Sequence, residues 1–92
     1  MRISYNTHKN TQNIAVRQLS FDQAADFDLA TALVMQDTRK AYSEERFVAI
    51  GYLGKRLHVL CFTPTPDGMR VISFRKANER ERAVYEQSQS QY

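Results

Sequence analysis

The 92-residue chain has one cysteine, no tryptophan, two prolines and three glycines. A lone cysteine, Cys61, excludes an internal disulfide; set among apolar neighbours, it reads as a small core residue in a reducing compartment. No long apolar run is present, so no membrane span is expected. The opening Met-Arg-Ile-Ser-Tyr has no apolar core of a cleaved secretion signal. These absences together point to the cytoplasm. With so few glycines there is no phosphate-cradling glycine loop, and neither a CxxC pair nor an HExxH motif occurs. The two histidines, His8 and His58, lie far apart without partners at ligand spacing, so no metal site and no cofactor are expected. His58 sits between Leu57 and Val59 and reads as a structural or surface residue.

What is present fits one globular domain. Hydrophobic residues make up 42% of the chain, too many for a disordered one. The length suits a single domain over 1–87 with a frayed polar tail over 88–92. A core this small can depend on a partner for part of its stability. The net charge of +3 and pI of about 9.2 permit a polyanion such as RNA without requiring one.

Periodicity organises the chain. Residues 2–5 alternate like a strand, and 7–18 read as a polar helix. Ser20 and Gln23 form a capping-box pattern for a second helix over 21–27, with Phe21, Ala24 and Ala25 on its inner face. The run 32–35 is of strand length. A strand over 44–53 follows, with Phe47, Ala49, Gly51 and Leu53 on one side and Arg46, Val48, Ile50 and Tyr52 on the other. Gly54-Lys55 makes a hairpin to a strand over 56–63, and the Pro-Thr-Pro-Asp-Gly turn leads to a strand over 69–74. A charged helix over 76–87 closes the chain. The expected fold is α+β: an antiparallel sheet with two N-terminal helices and a C-terminal helix packed on it.

Arginine is the side chain with chemistry to offer. Arg46, Arg70 and Arg75 fall on strands or at their ends. A guanidinium fork suits phosphate and can offset charge that builds on it during reaction. Glu45, beside Arg46, is a candidate proton acceptor for a ribose 2′-hydroxyl. Spacing alone leaves a simpler reading open, in which the arginines are solvated and paired with Glu45, Glu79 or Glu81. Parity also intervenes. Arg70 and Arg75 are five apart and would point to opposite faces, unless the strand ends or bulges near Ser73.

The series Glu45-Arg46-x-x-x-Ile50-Gly51, Val59 to Thr63, Arg70-Val71-Ile72-Ser73-x-Arg75-Lys76-Ala77, then Glu81 and Tyr85, resembles the BrnT family. Toward the N-terminus the resemblance is looser: Tyr5-Asn6 stands where the family usually has Trp-Asp, Lys9 and Asn13 are in step, and Phe21 and Ala24 follow. The resemblance implies a RelE-like α+β fold and a metal-independent endoribonuclease, the toxin half of a type II toxin–antitoxin pair. It implies a ribbon-helix-helix, BrnA-like antitoxin, through which alone operator DNA would be met, and an RNA substrate. Glu45, Arg46, Arg70 and Arg75 become the candidate catalytic group, with Lys9, Arg17, Lys55, Arg56 and Tyr85 as candidate RNA contacts. One departure stands out. The family's Lys-His-Gly run is Val16, Arg17 and Gln18 here; Arg17 can supply the charge of that histidine but not a base, and Gln18 is a poor left-handed cap. A catalytically impaired module that still binds its antitoxin is therefore the alternative, with Arg75 and Glu81 pairing to dock the last helix.

Overall fold

Gly54 sits at φ 61°, the left-handed conformation a two-residue hairpin requires. In the computed structural model, which describes residues 1–90, this turn folds β3 (Phe47–Leu53) onto β4 (Arg56–Thr65), in a register from Leu53↔Arg56 to Phe47↔Phe62. β4 runs past the expected end. Pro64 pairs with Met69 of β5 (Gly68–Lys76), beyond the last β3 partner, so its missing N–H breaks no β3–β4 bond.

The first strand changes the expected topology. β1 (Arg2–Tyr5) lies parallel to β5, with Ile3 opposite Met69 and Tyr5 opposite Val71. β2 (Leu33–Gln36) takes the far edge against β3. The order β1-β5-β4-β3-β2 makes the sheet mixed, not antiparallel. The chain leaves β1 through helices and reaches the opposite edge before it pairs again, so β1 meets β5 at the free edge of the meander.

The helices cover both faces rather than one. α1 (Thr7–Arg17) is capped by Asn6, whose side chain accepts from Lys9 N at 3.0 Å. It ends on Gln18 at φ 53°, a left-handed position filled without glycine. α1 is held by asparagines: Asn10 Oδ1 accepts from Phe21 N at 2.7 Å, and Asn13 Nδ2 donates to Phe74 O at 2.9 Å. The expected second helix is a 3-10 helix, Phe21–Asp26. Its period of three aligns Phe21, Ala24 and Phe27 on the core, while Ala25 faces out. These three and Leu19 pack on Ala49, Leu60, Phe62, Met69, Val71 and Phe74. α2 (Glu79–Gln89) lies on the opposite face, where Tyr85 packs with Ile50, Leu57 and Val59. It begins later than expected and keeps Ser88 and Gln89 helical; of the expected tail, residues 91–92 lie outside the described residues.

At Gly51 the segment that follows the 3-10 helix lies tight against the sheet. A Cβ there would meet Ala32 Cβ at 2.8 Å and Phe27 Cζ at 2.9 Å. Gly51→Ala is expected to cost about 1–3 kcal/mol by overpacking, read as a lower urea midpoint at unchanged slope. A midpoint equal to that of the parent would contradict this packing.

Candidate functional site

Position along the strands determines which polar side chains meet. Thr63 of β4 pairs with Arg70 of β5, and Ser4 of β1 pairs with Arg70 from the other side. One step beyond the Phe47↔Phe62 pair, Arg46 faces Thr63 by the same alternation, and Asp37 N donates to Arg46 O at 2.7 Å. Asp37, Arg46, Thr63, Arg70 and Ser4 thus form a transverse polar row across one face, the face that carries α2 at its other end.

β5 is bulged. Phe62 pairs with Val71 but Cys61 with Ser73, so Ile72 is an extra residue. Thr63↔Arg70 and Val59↔Arg75 are four apart on β4, which returns Arg70 and Arg75 to one face. The bulge near Ser73, a condition for these arginines to share a site, is present.

The loop between β2 and β3 folds over this row. Asp37 is buried and takes the Arg39 fork, with Nε at 2.9 Å and Nη2 at 2.8 Å, as well as Arg39 N at 3.2 Å. Tyr42 Oη also donates to Asp37, at 3.1 Å. These donors, Arg39 foremost, hold the Asp37 carboxyl well below the usual carboxylate range. The Tyr42 ring in turn lies 4.0 Å from the Arg46 guanidinium carbon. Glu44 pairs with Arg70. A hollow of about 480 Å³ opens here, lined by Asp37, Lys40, Tyr42, Glu44, Glu45 and Arg46.

Two atoms in the row are unanswered. Arg46 Nε and Thr63 Oγ1 are buried with no hydrogen-bond partner among the described residues. Such groups cost free energy unless something pairs with them.

The Asp37 knot makes the loop acid-sensitive. Asp37 ionises more readily folded than unfolded, so its stabilisation is fully present above about pH 4 and is lost as pH falls toward its depressed folded value. Asp37→Asn is expected to lower the melting temperature at neutral pH, with the gap from the parent narrowing in acid. A gap independent of pH would contradict this role.

The other sequence candidates separate. Arg75 gives its fork to Glu81, with both contacts at 2.8 Å, and burial and this carboxylate oppose one another in setting a raised guanidinium pKa. Glu81 also closes a capping box with Asn78, and the Arg75 guanidinium holds its carboxyl below the ordinary range. Arg75 therefore shares the face but docks α2. Lys9 and Arg17 come together with Arg75 along a groove of about 300 Å³ between α1 and the bulged part of β5. Lys55 and Arg56 sit at the opposite end of the β3–β4 hairpin from Arg46, beside Arg82 and Glu86 of α2. Tyr85 is buried, edge-on to Tyr52, and its hydroxyl donates to Thr31 O at 3.2 Å. It anchors α2 and offers no open ring face to a base. His58 is buried beside Phe74, with Nδ1 2.9 Å from Arg56 O, and burial lowers its pKa. Cys61 is buried, and burial pushes its thiol up. Among the described residues, no three metal-ligating side chains cluster, and no helix is long and apolar enough to cross a membrane.

Sequence reasoning missed Tyr42, Glu44 and Thr63. Glu44 adjoins the Glu45-Arg46 pair that the sequence singles out, but Ser43 and Glu44 lie in a bend before β3, so strand alternation does not assign its face. Thr63 had no signal, because its role depends on the β5 register.

The molecule is a small α+β domain whose mixed sheet presents Arg46 and Arg70 beneath the charged loop between β2 and β3. Its sequence carries the signature described as the ribonuclease toxin, BrnT, of type II toxin–antitoxin systems, across residues 5–81. The chain belongs to that family. The match spans α1, the 3-10 helix and β2 to β5, including Arg46, Arg70 and Arg75, and ends at Glu81. Family membership makes this a ribonuclease toxin by class, with an antitoxin as its partner. No curated protein matches the chain.

Proposed function

We propose that the protein is a metal-independent endoribonuclease of RelE-like fold that arrests growth by cutting RNA. The observation that carries this is the Arg46–Thr63–Arg70 row, in which two guanidinium groups flank a buried hydroxyl and two polar atoms lack partners. A phosphate seated over Thr63 would accept from Arg46 Nε and the Thr63 hydroxyl while Arg70 met another of its oxygens. The 2′-oxygen of the preceding ribose attacks that phosphorus, and the forks offset charge on the oxygens of the transition state. Lys9, Arg17 and the groove beside Arg75 continue the basic track from the site and suit the flanking RNA backbone. Lys55 and Arg56, at the other end of the hairpin, would meet only a longer substrate.

The antitoxin partner is proposed to be a ribbon-helix-helix, BrnA-like protein that covers the arginine face, with operator DNA met only through it. The supporting feature is the face itself, which leaves cationic groups on a domain too small to enclose them. Expression of the chain alone is expected to stop bacterial growth with loss of intact RNA, and co-expression of the antitoxin to restore it. Unimpeded growth at high expression would contradict the toxin reading. Tight antitoxin binding without any RNA cleavage would instead support the catalytically impaired module.

A further inference from the structure

The proposed mechanism lacks a base. Arg46, Arg70 and Arg17 stay protonated and cannot accept a proton. His58 is buried on the opposite face, beside Phe74. Glu45 lines the same hollow as Glu44 and Arg46, but it is Glu44 that pairs with Arg70. Of the two carboxylates at the row, Asp37 is held by Arg39 and Tyr42, which leaves Glu44. The Glu44 and Arg70 side chains are 45% and 44% exposed.

We propose that Glu44 is the catalytic base, held on Arg70 until an RNA phosphate takes its place. This rests on the reading that Arg46, Thr63 and Arg70 bind the scissile phosphate. An ion pair this exposed is worth little, so an incoming phosphate can displace it. The phosphate brings bidentate contacts to Arg70 and answers the two unpartnered atoms, Arg46 Nε and Thr63 Oγ1. The displaced carboxylate remains tethered beside the phosphate. The charged groups around it are Arg70 from β5, Arg46 at the entry to β3, Asp37 after β2 with its Arg39 partner, and Lys40 and Glu45 of its own loop; Tyr42 is the neighbouring titratable group. A carboxylate that exchanges a cation for an anionic neighbour holds a proton more firmly, as a base requires.

The step balances without a co-reactant. Glu44 takes the proton of the 2′-hydroxyl as the O2′–P bond forms. The P–O5′ bond breaks, and the 5′-oxygen takes a proton from water. Glu44 then returns its proton to water. The products are a 2′,3′-cyclic phosphate and a 5′-hydroxyl, and no water is consumed.

The test compares Glu44→Gln and Glu45→Gln with the parent in single-turnover cleavage of a short RNA across pH. Binding is measured in parallel to the same oligonucleotide with 2′-deoxy sugars, which cannot be cut. Glu44→Gln is expected to lower the cleavage rate by about 10²–10⁴ and to remove the acid limb of the pH–rate profile. It should bind the uncleavable strand at least as tightly as the parent, since a competitor for Arg70 is gone. Glu44→Asp is expected to recover part of the rate and the acid limb. Cleavage by Glu44→Gln within threefold of the parent, an acid limb that persists in it, or a greater loss at Glu45→Gln would overturn the assignment. If Arg70→Ala still abolishes cleavage in that case, the phosphate-site reading survives and the choice of base alone has failed. If Arg70→Ala cuts as well as the parent, both fall.

Discussion

Replacing Arg46 and Arg70 by alanine is expected to lower RNA cleavage by about 10²–10³ for each arginine, with the double variant at least as inactive as the worse single one. The two side chains have different surroundings, and the variants should differ accordingly. Arg70 is half-exposed and its visible partner is Glu44, so Arg70→Ala removes charge with little damage to the fold. Arg46 is more deeply set. Its guanidinium covers Tyr42, and Tyr42 reaches Asp37, so Arg46→Ala also loosens the loop. Arg46→Lys separates these contributions. Lysine retains the cation but not the planar fork or an Nε at that depth, so it should recover stability more than rate. Rates near parental in both alanine variants would remove the arginine row from the mechanism. Two positions on one row share a substrate, so their effects are not expected to add.

Phe74→Ala is expected to destabilise the domain by about 3–5 kcal/mol, a large part of the roughly 5–15 kcal/mol that holds a small domain folded. Phe74 is fully buried. Its ring meets Phe27 edge-on at 6.0 Å and lies 5.6 Å from His58. Its carbonyl accepts from Asn13, one of the contacts that hold α1. The residue also follows the bulge, so its burial helps fix the register that brings Arg70 and Arg75 to one face. Activity should therefore fall together with stability. Denaturant titration measures the cost, and a loss below about 1 kcal/mol would mean the site had collapsed around the missing ring.

Much of the sheet was legible in the sequence because its signals are local. The alternation over 47–53, the Gly54 turn and the Asp67-Gly68 turn each act within a few residues. The pairing of Arg75 with Glu81 was legible for the same reason, since six positions separate them. What failed depends on distant partners. The direction of β1 is decided by β5, more than sixty residues away. The 3-10 geometry of Phe21–Asp26 follows from burying Phe21, Ala24 and Phe27 at a spacing of three, which competes with the helical pattern also present there. Tyr85 is from sequence either an RNA contact or part of the packing of the last helix, and α2 turns it onto Tyr52 and Thr31. On the polar row, Arg46 and Arg70 were legible as strand arginines and their neighbours were not. The loop reaches over the row through the Asp37–Arg39–Tyr42 knot, a tertiary arrangement that no spacing rule announces.

The central claim is that this chain cuts RNA with its own side chains, through attack of the 2′-hydroxyl. The most direct measurement is incubation of purified protein with a defined RNA in excess chelator, followed by analysis of the new ends. The account predicts cleavage undiminished by the chelator, leaving 2′,3′-cyclic phosphate and 5′-hydroxyl ends, and loss of that cleavage in the Arg46→Ala, Arg70→Ala double variant. Cleavage that stops with the chelator, or that leaves 5′-phosphate ends, would contradict it.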